Sequence, residues 1–319
     1  MISLRNRAPL TLALVFWFGL ETPAQVQPAS PTKTQVVMLG TGTPGPDPDR
    51  SGPATAIIAN GAAYLVDAGT GIVRRAASAR RKGMEALEPT ALRISFLTHL
   101  HADHTLGLAD LMLTPWIMGR EEPLKLYGPP GTRAMAERIL QAYEVDIKTR
   151  TEGLEHSNRT GYKVEVHEIA PGVVYKDANV TVSAFNSHHG SLRAYGYRFV
   201  TPDRSIVISG DATAKGDASE NCHQCDVLIH EVYTLNSFEK VSPEWKQYRE
   251  AFHTSSKELA EIAKKSKPGL LVLYHVANPG CDQARTQECR EAGSEEQLMR
   301  EMHNLYRGNV VAAHDLDVY

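Results

Sequence analysis

The sequence predicts a single α/β domain, a four-layer αββα sandwich in which two β-sheets pack together and helices cover their outer faces. Short apolar runs rich in β-branched residues open the chain in hairpin-like order, and helical patterns interleave with such runs later. No internal repeat, low-complexity tract or second linker interrupts this order. The composition, 42% hydrophobic and 22% charged, is that of an ordinary globular protein.

The strands are predicted where a short apolar run lies between turn-forming residues. These runs are residues 35–39, 54–58, 63–66, 93–97, 124–127, 163–169, 180–185, 195–200, 206–209, 227–229, 270–274 and 310–313. The helices are predicted where apolar residues recur with the helical period. These segments are residues 71–81, 105–118, 132–143, 255–265 and 295–306.

The N-terminal residues differ in composition from the rest of the chain. Arg5 and Arg7 precede an apolar stretch at residues 8–20, and small and helix-breaking residues follow around Pro23. This layout is typical of a secretory signal, and the apolar stretch is short for a membrane span. We therefore predict a signal peptide at residues 1–24, a linker at 25–33, a folded domain at 34–319 and a periplasmic or secreted location. An uncleaved membrane anchor and a misassigned start are the alternatives.

The four cysteines are compatible with an oxidising compartment. Cys222 and Cys225 form a CxxC pair with no second copy, which favours a local disulfide or buried thiols over half of a zinc knuckle. The separation of Cys281 and Cys289 suits a small disulfide-closed loop. If these two are bonded, we expect the loop at 277–291 to be pinned beside the functional site and to restrict substrate size.

The sharpest local pattern is the segment 98–104, which follows a predicted strand. It contains four residues of the types that bind zinc: His99, His101, Asp103 and His104. In extended backbone His99 and His101 point to the same side, whereas Asp103 and His104 lie on the turn into the next helix. The segment therefore predicts one metal site with a second beside it. A histidine-rich loop capped by Asp103 is the alternative.

Later in the chain, further ligand-type residues stand at the ends of apolar strands. His188 and His189, Asp211 and His275 each come after a predicted strand. Open α/β proteins build their sites at such C-terminal strand ends. Taken singly, each of these residues is more often structural. Their order behind the histidine cluster predicts a shared metal centre.

These motifs resemble the metallo-β-lactamase superfamily, in its ribonuclease Z-like branch. The match comprises HLHADH, a histidine before GYR, SGD and a histidine after an apolar strand, and it runs from about Val36 onward. It implies the metallo-β-lactamase fold and two Zn²⁺ ions, or other divalent transition metals. The implied ligands are His99, His101 and His189 for one ion, Asp103, His104 and His275 for the other, and Asp211 between them. His189 is preferred to His188 because it precedes Gly190, as in the related pattern.

The resemblance also implies residues that orient the ligands or take part in the reaction. Asp67 is similar to the early aspartate that orients a zinc ligand, and His230 and Glu231 resemble the branch's His-Glu element. His253 resembles the branch's proton-donor histidine, and packing at a helix start is its alternative. Asp103 is placed to orient or deprotonate the attacking water.

Three features are used to predict the substrate. An exported protein does not meet precursor transfer RNA, which argues against that substrate. The ribonuclease Z branch that matures transfer RNA carries a long arm between the positions of His189 and Asp211, but only 22 positions separate them here. The segments 40–53 and 316–319 resemble secreted arylsulfatase-like members of the branch. We therefore predict an exported dinuclear-zinc hydrolase of a small sulfate or phosphate ester.

The predicted partners follow from that choice. The net charge of −3 lacks the basic excess usual in nucleic-acid binders, so no nucleic-acid partner is expected. No stable membrane insertion is expected after signal removal, and the resemblance implies a homodimer. A ribonuclease Z-type tRNA 3′ endonuclease, a β-lactamase and a non-enzymatic metal-binding module are the alternative functions.

Overall fold

The first sheet is built from the earlier part of the domain. The computed structural model describes residues 33–319, so the predicted signal peptide and all but the last residue of the predicted linker lie outside the described residues. Strands β1 to β3 pair antiparallel and β3 to β6 pair in parallel. In sheet order they are β1 (Gln35–Gly40), β2 (Ala54–Ala59), β3 (Ala62–Val66), β4 (Ile94–Phe96), β5 (Leu124–Gly128) and β6 (Val164–Glu168).

The second sheet follows in the chain and has seven strands. Strands β7 to β10 pair antiparallel, and β10 to β13 pair in parallel. In sheet order they are β7 (Gly172–Lys176), β8 (Thr181–His189), β9 (Leu192–Val200), β10 (Ser205–Ile208), β11 (Val227–Val232), β12 (Leu270–Val276) and β13 (Val310–Ala312).

Helices connect the strands. They are α1 (Ile72–Arg81), α2 (Ala102–Thr105), α3 (Leu108–Ile117), α4 (Thr132–Ala142), α5 (Glu144–Glu152), α6 (Ala218–Cys222), α7 (Leu235–Phe238), α8 (Pro243–Phe252), α9 (Ser256–Ser266), α10 (Cys281–Ala284), α11 (Gln287–Ala292) and α12 (Glu295–Leu305). Two 3₁₀ turns lie at Glu85–Leu87 and Pro89–Ala91. Within residues 33–319 no helix is both long and apolar enough to cross a membrane.

Three apolar clusters hold four layers together. The cluster between the sheets is rich in aromatic side chains, and the Phe96 ring lies 5.5 Å from Tyr197 and 5.6 Å from Phe199 across the interface. A second cluster joins α1, α3 and α4 to the outer face of the first sheet, and a third joins α6, α9 and α12 to the second. Burial of these faces on both sides of each sheet stabilises the sandwich. The predicted αββα fold class is confirmed.

Strands of both sheets end at one common edge. β4 leads directly into the histidine segment, β8 ends at His189, and β10 precedes Asp211. In β12 a bulge interrupts the pairing with β11, because Tyr274 pairs with Glu231 and Val276 with Val232. His275 is the extra residue, with φ of 45°, and the bulge redirects its side chain.

Residues 315–319 return to the first sheet. The backbone groups of Val36 and Tyr319 exchange two hydrogen bonds of 2.9 Å, which places this segment beside β1. The Asp315 carboxylate accepts hydrogen bonds from the backbone of Thr41 and Ser51, 2.9 and 2.7 Å away. The segments 40–53 and 316–319, which were used to predict an arylsulfatase, therefore belong to one structural contact.

The element predictions differ from the structure in two ways. The predicted helix 105–118 corresponds to α3, and a separate short helix, α2, ends at Thr105, because the Gly107 amide donates to the Ala68 carbonyl instead of a helical partner. A Cβ on Gly107 would lie 2.2 Å from the Gly69 carbonyl oxygen, so the two segments touch through backbone. Strand β7 and helices α5, α6, α7, α8, α10 and α11 were not predicted; of these, α8 and α10 contribute residues to the site.

Candidate metal centre

Seven of the predicted site residues form two adjacent groups at the common edge of the sheets. Their donor atoms lie within 4.8 Å of one another in each group, and the members are His99, His101, His189 and Asp211 in one and Asp103, His104 and His275 in the other. All are buried except His101 and Asp103, which are partly exposed. The residues of the two groups are therefore brought together by the fold: His99 and His275 lie far apart in the sequence but at one edge of the sheets.

The carboxylate of Asp211 lies between the two groups. One oxygen, Oδ1, is 3.2 Å from His104 Nε2 and 3.7 Å from His275 Nδ1. The other, Oδ2, is 3.9 Å from His189 Nε2 and 4.0 Å from His99 Nε2. Each oxygen therefore faces a different group, which is the geometry of a carboxylate that bridges two cations.

Several polar atoms at the centre are buried without a hydrogen bond. Within the described residues this applies to His99 Nε2, His104 Nε2, His275 Nδ1 and Asp211 Oδ1. A buried donor or acceptor without a partner costs about 1–3 kcal/mol. Imidazole nitrogen and carboxylate oxygen are donor atoms that zinc and similar ions take. The residues at this edge are therefore able to hold metal ions.

Neighbouring groups fix the orientation of the imidazoles. His104 Nδ1 lies 2.8 Å from Asp67 Oδ2, and the same carboxylate accepts a hydrogen bond from the Thr98 backbone at 2.8 Å. His189 Nδ1 donates to the Phe252 carbonyl at 2.6 Å. In both rings Nδ1 is engaged, so Nε2 is directed to the centre, where that of His189 lies 3.1 Å from His101 Nδ1. Asp67 therefore lies where a ligand-orienting residue is needed.

Burial and neighbouring charges shift the pKa values of the imidazoles and of the carboxylate between them. Burial lowers the pKa of His99 well below its usual range and that of His189 to about 4. Burial also opposes the charged form of His104, but Asp211 and Asp67 outweigh it and raise its pKa. Burial opposes the ionised form of Asp211, yet the neighbouring His275 and His104 lower its pKa well below the usual range. Asp211 is thus an anion at neutral pH.

Strand alternation separates the two candidate histidines. His189 is fully buried in the centre, and His188 is exposed on the opposite face of β8. Gly190 has φ of 57°, and a Cβ at this position would lie 2.2 Å from the Phe252 ring. The pattern His-Gly therefore lets Phe252 approach closely and bring its carbonyl to His189.

His253 and Glu231 lie beside the metal-binding groups. His253 lines the cavity over the centre, and its Nδ1 is 3.4 Å from Glu231 Oε2. The other oxygen of Glu231 accepts a hydrogen bond of 3.0 Å from the Thr254 backbone. His230 points to the other face of β11, where its Nδ1 donates to the Glu231 carbonyl. His253 and Glu231 therefore meet at the site, and His230 does not line its cavity.

A cavity of about 680 Å³ opens above the centre. His101, Asp103, Asp211 and His275 line its floor, and the loop 43–45 forms part of its rim. The disulfide Cys281–Cys289 closes a loop from which Asp282, Gln283 and Arg285 line the wall, and Ala277 and Pro279 line it just before that loop. The pinned loop expected beside the site is present. The other pair, Cys222–Cys225, is also bonded.

The sequence reasoning missed the aromatic residues of α8. Trp245 and Tyr248 line the cavity together with His253. Their spacing with Phe252, three and then four residues, is a helical signal that could have identified α8. No local pattern predicts that this helix lies over the metal centre.

The chain is similar to known proteins over most of its length. The family model described as a β-lactamase superfamily domain matches residues 63–276. A protein named ribonuclease Z from Mycobacterium sp. (strain KMS) is 36% identical over 251 residues, which are 77% of this chain and 85% of the relative. Another ribonuclease Z, from Mycobacterium marinum, is 30% identical over 281 residues, or 85% of this chain and 98% of the relative.

Solved structures share the fold. The metallo-β-lactamase fold protein YhfI from Bacillus subtilis superposes with a TM-score of 0.65 at 17% identity, covering 90% of this chain and 98% of its own. The short form of human tRNase Z gives a TM-score of 0.61 at 24% identity, covering 89% and 98%. These identities are low, so the likeness extends to the fold alone.

Two predictions require correction. The expectation of a small-molecule ester without a nucleic-acid partner is wrong, because the relatives of 30% identity or more are named ribonuclease Z and point to RNA. An arylsulfatase-like closest branch is not supported, and the ribonuclease Z alternative fits better. The physical reason is that net charge is a property of the whole molecule, and the short 189–211 interval shows only that no long arm is inserted there. They do not determine which ester the metal centre cleaves.

Proposed function

The chain belongs to the metallo-β-lactamase superfamily, and from this premise we propose that it is a metal-dependent hydrolase that cleaves phosphodiester bonds in RNA. The observation that carries the proposal is the pair of donor groups on either side of Asp211, beneath an open cavity. The identity to proteins named ribonuclease Z supports the choice of RNA.

The residues of the centre fit two zinc ions. His99, His101 and His189 would hold one, Asp103, His104 and His275 the other, and Asp211 would bridge them. Two such ions would make hydroxide available near neutral pH and offset the negative charge that develops on the phosphate. The orphaned buried atoms described above support this assignment.

Asp103 is positioned to accept a hydrogen bond from the attacking water. Its side chain lines the cavity and is 10% exposed, so water can reach it. One carboxylate oxygen lies 3.1 Å from His275 Nε2, a contact that holds the group in place. Burial opposes the ionised form, but the hydrogen bond to His275 outweighs it and lowers the pKa of Asp103. Asp103 is therefore ionised at neutral pH and accepts a hydrogen bond from the water.

His253 is positioned to protonate the leaving oxygen. It lies on the cavity side of the centre, with its ring centroid 6.4 Å from that of His275. The carboxylate of Glu231 lies 3.4 Å from its Nδ1 and orients the ring, which leaves Nε2 for the substrate. Glu231 is itself held by the Thr254 and Ala212 amides.

The RNA would be contacted by the walls of the cavity rather than by a protruding arm. The interval between His189 and Asp211 contains the hairpin of β9 and β10, whose strands pair directly in the sheet. We therefore propose a substrate that is recognised close to the cleaved bond, such as a single-stranded RNA end.

The function is tested with purified protein of known metal content. We expect cleavage of single-stranded oligoribonucleotides and of bis-(p-nitrophenyl) phosphate, and loss of both activities after chelation of the metal. The variant Asp211→Asn should lose activity, because one ligand common to both groups is weakened. Metal-loaded protein that hydrolyses nitrophenyl sulfate or nitrocefin but no RNA would contradict the proposal.

Export is a separate proposal that rests on residues 1–24 alone. It is tested by expression of the full chain in a Gram-negative host and sequencing of the mature N-terminus. Cleavage near residue 24 with recovery outside the cytoplasm is expected. An intact N-terminus in the cytoplasmic fraction would contradict it.

A further inference from the structure

Helix α8 presents an aromatic face that leads from the cavity to a metal ligand. Trp245, Tyr248 and Phe252 are three and four residues apart, which places them on one side of the helix. Ring centroids are 5.5 Å apart for Trp245 and Tyr248 and 4.5 Å apart for Tyr248 and Phe252. The Phe252 ring in turn lies 5.1 Å from that of His189. Trp245 and Tyr248 stay partly exposed and line the cavity.

The aromatic face is fixed in place by contacts with Ser237 and with the two residues just before the disulfide-closed loop. Arg249, which is fully buried, donates from Nε to the Pro279 carbonyl at 2.8 Å and from Nη1 to Ser237 Oγ at 2.8 Å. The Trp245 ring packs so closely on Gly280 that a Cβ there would lie 2.7 Å from it. The two rings are therefore preorganised, and a ligand that uses them loses little conformational entropy.

The chemistry of the wall suits one kind of ligand. Trp245 and Tyr248 offer apolar ring surface next to the floor formed by Asp103 and Asp211. Among the described residues that line this cavity, Arg285 is the only lysine or arginine, and it lies on the same disulfide-closed segment. Planar bases stack on aromatic side chains, and arginine binds phosphate. The combination therefore matches a nucleotide.

We propose that Trp245 and Tyr248 form a stacking subsite for the nucleobase next to the cleaved phosphate, and that Arg285 contacts the neighbouring phosphate. The proposal rests on the phosphodiesterase function proposed above. Because every base has a flat face, the subsite selects for the presence of a base and only weakly for its identity. It accounts for how RNA is held without an arm.

The first test compares an oligoribonucleotide with the same strand that lacks one base beside the cleaved bond. Loss of the base should reduce kcat/KM of the wild type about tenfold to a hundredfold, mainly through KM. Trp245→Ala should show a similar reduction on the intact strand and little further loss on the abasic one. Trp245→Phe should restore most of the difference in kcat/KM between the intact and the abasic strand. Tyr143→Ala, an exposed aromatic outside the cavity, is the matched control and should behave as the wild type.

Equal kcat/KM of the wild type on the intact and abasic strands would overturn the subsite. A Trp245→Ala variant that lowers kcat/KM on the intact and on the abasic strand by the same factor would also overturn it, because a structural role gives that result. Tyr248→Leu repeats the comparison in case Trp245→Ala does not fold.

A binding measurement separates this proposal from the proposed function. AMP should quench the tryptophan fluorescence of the wild type, and ribose 5-phosphate should not. The AMP signal should be lost in Trp245→Phe, which keeps the buried Trp116. Protein that cleaves no RNA but gives this quenching pattern would contradict the function and support the subsite. Protein that cleaves RNA but shows no AMP quenching would overturn the subsite alone.

Discussion

At the residue scale, the centre depends on which side of a strand a histidine occupies. His188 and His189 are chemically identical neighbours, but β8 directs one to solvent and the other to Asp211. The hydrogen bond from His189 Nδ1 to the Phe252 carbonyl then selects the nitrogen that faces the centre. Position and orientation, more than residue type, distinguish a ligand from a surface residue here.

This pair provides a prediction with an internal control. His189→Ala should reduce the bound metal and lower kcat/KM by at least about a hundredfold, since an ion at such a site contributes several kcal/mol. His188→Ala removes the same side chain from the exposed face and should retain both metal and activity. Elemental analysis and steady-state kinetics on the two proteins check this. Equal metal loss in both would contradict the assignment of His189.

The metal-binding residues could be predicted because their signal is local. His99, His101, Asp103 and His104 lie within one short segment, and its alternation and helix start are readable from the sequence. Trp245 and Tyr248 could not be predicted as site residues. Aromatic residues at helical spacing usually belong to a core, and only the contact of Arg249 with Pro279 brings them to the cavity.

At the element scale, Gly190 connects β8 to α8. Its left-handed φ and the close approach of the Phe252 ring leave no room for a side chain. The same contact sets the position of the Phe252 carbonyl that orients His189. The end of one strand and the end of one helix are therefore coupled through a residue that has no side chain.

Gly190→Ala should destabilise the protein by about 2–4 kcal/mol, from left-handed strain and overpacking together. It should also lower metal affinity, because Phe252 must move. Gly61→Ala is the matched control: Gly61 has φ of 77° with nothing within 4 Å, so it should cost only about 1–2 kcal/mol and leave metal binding intact. Chemical denaturation and chelator competition measure both. Equal effects of the two substitutions would contradict the coupling.

Elements with regular patterns could be predicted, and short or exposed ones could not. The buried strands β2 and β11 carry continuous apolar runs that the sequence displays. Strand β7 is a partly exposed edge strand, and α8 buries only Arg249 among its residues, so neither has the buried apolar face of a core element. Tertiary contacts rather than local preference determine these elements.

At the scale of the whole molecule, a carboxylate links the two sheets. Asp177, after β7 of the second sheet, accepts a hydrogen bond of 2.6 Å from the Tyr64 hydroxyl of the first sheet. It also accepts from Tyr175 and from the Asn179 and Val180 amides. Burial opposes its charge, but these hydrogen bonds together outweigh it and lower the pKa of Asp177.

The lowered pKa makes this link sensitive to acid. A carboxylate with a lower pKa in the folded state adds stability above its unfolded pKa of about 3.9, and this stability is lost as the pH falls through the folded value. Asp177→Asn should therefore cost about 1–2 kcal/mol at pH 7. The difference from the wild type should shrink below about pH 4. Denaturation curves from pH 7 to pH 3 check this, and a difference that does not change with pH would contradict it.

The overall architecture could be predicted, whereas the substrate could not. Two sheets with outer helices follow from the order of apolar runs, because each sheet must bury both faces. The substrate prediction was wrong because it used one interval length, export and a resemblance of the segments 40–53 and 316–319. None of these determines which ester the metal centre cleaves. The same metal centre serves several classes of ester, and the fold does not choose among them.

Residues 316–319 protect the molecule from self-association. β1 is the outermost strand of the first sheet, and Val36 and Met38 would present unpaired amides there without the hydrogen bonds to Tyr319 and Asp317. An uncovered strand of this kind is a template for pairing with another chain. Truncation before Leu316 would leave the domain folded with β1 exposed as an unpaired edge strand. Preparations that lose these few residues to proteases should therefore form aggregates before they lose activity.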